Sequence, residues 1–111
     1  MTHPIRSSIL FEGIKLTCGD RNEAYGDPKV NMACAGELKA VLRKYAARDI
    51  SPEEWEAIDM TMTKMSRVVT GPKPKRDNYT DGSVYFAIAG EMALRADMGL
   101  DEPPAISPPS E

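Results

Sequence analysis

The sequence predicts an all-α protein, a small four-helix and antiparallel bundle with a disordered Pro-rich C-terminal tail. Apolar residues recur at spacings of three and four in four separate segments, whereas no segment sustains the apolar/polar alternation of a half-buried strand. The connections between segments are short, which favours antiparallel neighbours. At 111 residues the chain has the length of one domain, placed at residues 1–99, with residues 100–111 as the tail.

The first helix covers about residues 4 to 17, with Ile5, Ile9, Leu10, Gly13 and Ile14 as its apolar stripe and Gly19 placed to stop it. The loop CGDRNEAYGDP follows. Asp27 is an N-cap residue with Pro28 at the first helical position, where the missing N–H costs nothing, and this opens a second helix to about residue 47. Its expected buried stripe is Val30, Cys34, Leu38, Val41, Leu42 and Tyr45. The third helix starts at Ser51, with Pro52 in the first turn and Glu54 completing a capping box; Trp55, Ile58, Met62, Met65 and Val69 form its stripe. Gly71-Pro72 ends it. The fourth helix spans about residues 77 to 97, with Tyr85, Ile88 and Met92 facing inward. Gly36, Gly82 and Gly90 each cost a helix about 1 kcal/mol relative to Ala, which points to close approach by another helix, a subunit or a ligand. The tail LDEPPAISPPSE holds four of the nine prolines and almost nothing to bury.

Composition narrows the function classes. The chain is 41% hydrophobic and 28% charged, as in soluble globular proteins, and no apolar run has the length of a membrane span. Glu12 and Lys15 interrupt the only apolar stretch near the N-terminus, so no secretory signal is read and a cytoplasmic location is expected. Cys18 and Cys34 lack the spacing of a metal site or disulfide framework and are read as inert thiols. His3 has no visible partner. A net charge of −3 argues against general nucleic-acid binding, so any anion site is local.

One such site is written into KMSRVVTGPKPKRDNYTDGSVY, residues 64 to 85. Lys64 and Arg67 share one side of the third helix, and Lys73, Lys75 and Arg76 immediately precede the fourth, whose free amides and dipole favour an anion. Asp77 and Asp81 stack four apart on the fourth helix, and Tyr85 continues that face. Such acids can hold cationic side chains, bind a ribose hydroxyl or ligate Mg²⁺ through water. The same charges also suit helix ends at a wet surface, and both readings stand on pattern alone. Lys64 and Arg67 adjoin the Met62/Met65 stripe, however, and a half-buried cation calls for a partner. The second candidate is DRNEAYGDPKVN, where Arg21 offers a forked donor, Tyr25 a stacking surface and Gly26 tolerance of positive φ; a tyrosine packed over a turn accounts for it equally well.

Taken in order, ILFEGIKLTCGDRNEAYGDPKVN, the SPEE helix start and KMSRVVTGPKPKRDNYTDGSVYFAIAGE resemble a family of small phage and prophage proteins carrying a domain of unknown function, over about residues 9 to 94. The matching positions are Arg21, Tyr25, Gly26, Asn31, Lys64, Arg67, Asp77, Asp81 and Tyr85; Gly82 departs from the pattern. The resemblance implies a phage or prophage origin, a helical fold and a polar cluster joining the two candidate stretches. A weaker likeness is to MazG-like all-helical nucleoside triphosphate pyrophosphohydrolases, in which acidic pairs on successive helices hold Mg²⁺. Glu53 and Glu56 have the first spacing, while Asn78 and Asp81 have the second with Asn in place of an acid.

Three functions are therefore expected as alternatives. The favoured one is non-catalytic binding, or sequestration, of a phosphorylated small molecule, with a nucleotide as the preferred ligand. Arg21, Lys64, Arg67 and Arg76 would hold phosphate, Tyr25 or Tyr85 would stack, and Asn31, Asp77 and Asp81 would complete the site, with no cofactor. An anti-defence role in an infected or lysogenic host follows from the phage resemblance alone. The others are a Mg²⁺-dependent hydrolase using Glu53, Glu56, Asp77 and Asp81, and a structural or host-interaction module without a small-molecule ligand. A homo-oligomer suits all three, because a chain this small gains core by association.

Overall fold

The computed structural model describes residues 4–18 and 26–100. The protein is all-α: helices α1 (Pro4–Thr17), α2 (Pro28–Tyr45), α3 (Pro52–Thr70) and α4 (Arg76–Asp97), with no strand among the described residues. Their boundaries follow local chemistry. The Asp27 carboxylate accepts from the Lys29 amide at 3.0 Å, with Pro28 opening α2. Ser51 Oγ accepts from the Glu54 amide at 3.1 Å at the start of α3. The expected capping box is only half made, because the Glu54 carboxylate takes both terminal nitrogens of Arg48 instead of the Ser51 amide. Gly71 is extended before Pro72 and its N–H closes the last turn onto the Arg67 carbonyl, which ends α3. Gly19 and the tail from residue 101 onward lie outside the described residues, as does the disorder expected of that tail.

Helix α3 is central. It packs most extensively with α4 and then with α2, and the two contacts use different sides of it. Pairings that run in opposite senses, Asn31 with Ser66 and Arg43 with Asp59, make α2 and α3 an antiparallel hairpin; between α3 and α4, Lys64 pairs with Asp81 a similar number of residues to either side of their short connection. The seams are built from small and polar side chains. Among the described residues Ala35, Ala57, Met62 and Ala89 are the buried apolar ones, and Asn31, Glu54, Ser66 and Asn78 are buried as well. Ser66 is fully enclosed and donates to Asn31, with both the Oδ1 and the main-chain O within 2.8 Å. Arg43 is bidentate to Asp59 and lies 4.3 Å over the Trp55 ring, stitching the far end of the same hairpin.

The expected apolar stripes do not all form the core. Val30, Val41, Leu42 and Tyr45 of α2, Met65 and Val69 of α3, and Ile88 of α4 are exposed, while Cys34, Leu38, Trp55, Ile58, Tyr85 and Met92 are half-buried. Every residue of α1 is exposed as well. Periodicity marks which side chains share a face, but the helices pack through neighbouring Ala, Ser and Asn positions, which permit closer approach than a branched stripe does. The glycines divide likewise. Gly36 and Gly90 have open space where a Cβ would stand, against the expected close approach, whereas Gly82 would meet Lys64 Cβ at an ordinary 3.5 Å.

Candidate functional site

A polar cavity of about 310 Å³ lies where the later part of α3 meets the first turns of α4. Its lining combines four cations, Lys64, Arg67, Lys75 and Arg76, with Asp77, Asn78 and Asp81. The local sequence explains this. Lys64 and Arg67, three apart, present one side of α3 toward the start of α4, and the short connection through Pro72 and Pro74 returns Lys75 and Arg76 to that side. Lys64 has 15% of its side chain exposed, and its Nζ sits 3.0 Å from the Asp81 carboxylate, so this cation has the partner its position demands. Arg67 is half-buried, and its side chain makes no ion pair or hydrogen bond among the described residues.

The start of α4 differs from those of α2 and α3. Lys75 at its N-cap makes no side-chain capping bond, so the amides of Arg76 and Asp77 have no acceptor among the described residues, while the Asn78 amide turns back to the Lys75 carbonyl at 3.1 Å. Asn78 itself is only 5% exposed, and its side-chain amide makes no hydrogen bond among the described residues. A buried carboxamide facing a cavity, a forked guanidinium and uncapped helix amides are the donors that a phosphate or carboxylate group accepts from.

Of the residues expected from the sequence, Lys64, Arg67, Arg76, Asp77 and Asp81 come together here. Tyr85, one turn beyond Asp81, is half-buried but does not line the cavity. Asn31 is held in the α2–α3 seam by Ser66, because it lies in the first turn of α2 on the side that meets α3. Arg21 and Tyr25 lie outside the described residues. Gly26 has the expected positive φ, +79°, and a Cβ there would stand 2.7 Å from the Thr70 carbonyl. The chain at Gly26 thus abuts the last turn of α3, next to the turn that carries Arg67.

Lys75, part of the expected basic cluster, also lines the cavity, and Asn78 joins it through tertiary structure. Lys75 belongs to a basic run visible in the sequence, while nothing in the sequence marks Asn78 as the buried one of its neighbours. The acids of the hydrolase reading do not assemble: Glu53 and Glu56 are exposed at the start of α3, and Lys64, opposite Asp81, is about 16 Å along the helix from Glu53 at 1.5 Å per residue. Among the described residues no three His, Cys, Asp or Glu side chains group as a metal centre.

A larger apolar groove of about 510 Å³ is bounded by α2, α3 and α4 and lined by Leu38, Met65, Val69, Tyr79 and Phe86 among others. Asn78 borders both spaces.

The profile of a domain of unknown function, DUF6378, matches residues 8–93, most of the chain. The protein belongs to the DUF6378 family. The match begins within α1, spans α2 and α3 and covers most of α4, so this DUF6378 domain contains the whole polar cavity and the groove. No curated protein and no solved structure matches the chain. No helix among the described residues of this DUF6378 protein is long and apolar enough to cross a membrane.

Proposed function

We propose that this DUF6378 protein binds a phosphorylated small molecule, a nucleotide in the favoured case, in the polar cavity between α3 and α4, without turning it over. The observation that carries the reading is the guanidinium of half-buried Arg67, unpaired among the described residues, lining the same cavity as Lys75, Arg76 and the uncapped start of α4. A cation in that position is costly to desolvate without an anionic partner, and a phosphate would supply one. Arg67 would take two phosphate oxygens, and the Arg76 and Asp77 amides would take a third. Asp81 keeps Lys64 extended along the wall, and Asn78 can donate to, or accept from, a sugar or base edge. At about 310 Å³ the cavity is at the small end of ligand sites and suits a phosphate with its sugar.

Arg21, Tyr25 and Tyr85 remain in this proposal on the strength of the family resemblance, as does sequestration of a host nucleotide within the cytoplasm of an infected or lysogenic bacterium. Thermal stabilisation by a nucleotide panel, with inorganic phosphate and pyrophosphate alongside, tests the reading. A binding nucleotide at 100 times its Kd adds about 2.7 kcal/mol to wild-type stability. Arg67→Ala removes the shift while leaving the unliganded melting temperature nearly unchanged, since Arg67 holds no other described group. Equal shifts in the two proteins, or none in either, exclude this site. Phosphate or pyrophosphate release with Mg²⁺ would instead favour turnover.

A further inference from the structure

The apolar surface calls for an occupant, and the chain contains one of the right shape. In α1 the single stripe expected from the sequence divides: Ile5, Ile9 and Leu16 fall on one face at steps of four and seven, while Leu10 and Ile14 fall about 140° around the helix; all are between 53% and 79% exposed. A helix apolar on two faces belongs between two packing surfaces, and one of 14 residues is marginal in water without any. The groove between α2 and α4 supplies one such surface. It has α3 as its floor, and its Val69 and Phe86 are 72% and 66% exposed. It occupies the place that a fourth helix of a bundle would fill.

We infer that α1 of one copy seats in the α2–α4 groove of a second copy, and reciprocally, so that the protein is a homodimer of exchanged helices. The two-faced pattern selects a second copy over the chain's own α1. Docked within its own chain, α1 would bury one face and leave the other in water, along with Val30, Val41 and Tyr45 of α2, which are also exposed. In a dimer, one face of α1 enters the groove and the other packs against the second α1, a surface that only a second copy supplies. At roughly 100 Å² apiece, the six exposed apolar residues of α1 and the groove's exposed Met65, Val69, Tyr79 and Phe86 together come to about 1,000 Å² per partner, against the roughly 800 Å² per partner of a stable interface. This inference goes beyond the phosphate reading and does not depend on it.

Native mass spectrometry of the full chain without added ligand tests it, using Ile9→Asp on α1 and Val69→Asp in the groove. Both positions are exposed within the chain, so neither change disturbs its own core, and circular dichroism checks that α2, α3 and α4 persist. Wild type runs at twice the chain mass, and each variant weakens the dimer by at least about tenfold. Mixing the two variants recovers heterodimers, because one intact α1 still meets one intact groove. A monomeric wild type, a dimer that survives either substitution, or a mixture that forms no heterodimer overturns the inference.

Discussion

Asp59 has its carboxyl held below the usual carboxylate range, first by its hydrogen bonds to Arg43 and then by the charge of that guanidinium, against a desolvation that works the other way. A depressed folded-state value means that the stabilisation is fully present above the unfolded carboxylate value near 4 and fades as pH falls through the folded one. Asp59→Asn is therefore expected to lower stability at pH 7 by about 1 kcal/mol and by progressively less toward pH 3, measured as urea midpoints across that range. The Arg43 guanidinium also stacks on Trp55, so Arg43→Ala costs more than Asp59→Asn. Lys64 is a different case, because most of its side chain is out of water and Asp81 is the carboxylate beside it. Asp81→Asn is expected to destabilise by about 1 to 2 kcal/mol, and Lys64→Met in the same background to recover part of that loss; chemical denaturation of the double-mutant cycle measures both. The cations were legible in the sequence. Which of them has an internal partner was not, since Lys64 and Arg67 are the same kind of residue three positions apart on one helix and only the placement of Asp81 separates them.

At the level of helices, the seam between α2 and α3 depends on a hydroxyl. Ser66 leaves no room for a larger side chain and gives its proton to Asn31, so Ser66→Ala should cost about 1 to 3 kcal/mol by leaving buried oxygens without a donor. Ser66→Val adds crowding and should cost more; comparing the two melting curves checks the order. Gly36 and Gly90 work the other way. Both are helical, exposed and without neighbours at the Cβ position, so Gly36→Ala and Gly90→Ala should each stabilise by about 0.5 to 1 kcal/mol, read from the same denaturation midpoints. Helix starts at Asp27-Pro28 and Ser51-Pro52 could be read from the chain because a cap is a local event among four or five residues. Helix faces could not, because the alanines, serine and asparagines that fill the seams carry weak hydropathy signals, while the louder branched stripes lie beside them.

For the described part of the molecule, the balance of surface and core is unusual for an isolated chain: among the described residues three of the four buried apolar ones are alanines, while side chains as large as Phe11, Tyr79 and Phe86 are more than half exposed. Large contiguous apolar surface marks interaction sites in soluble proteins. If association buries it, the melting temperature rises with protein concentration, a dependence that differential scanning calorimetry over a hundredfold dilution series would reveal and that a monomer would not show. If the proposed phosphorylated ligand binds at the polar cavity, its affinity falls with added salt, because four cations line that cavity; titration at rising ionic strength measures this.

Helix number, type and boundaries are determined by the sequence itself, through caps, proline placement and repeats of three and four, all of which act within a turn or two of chain. The gathering of Lys64, Arg67, Lys75 and Arg76 was visible too, since one short connection brings them back to the same side. The burial of Asn78 between two cavities, the use of Asn31 as a clamp and the opening of a groove beside α3 were decided only in tertiary structure. These depend on how close two helices approach, and that distance is set by the smallest residues at the crossing rather than by the most hydrophobic ones.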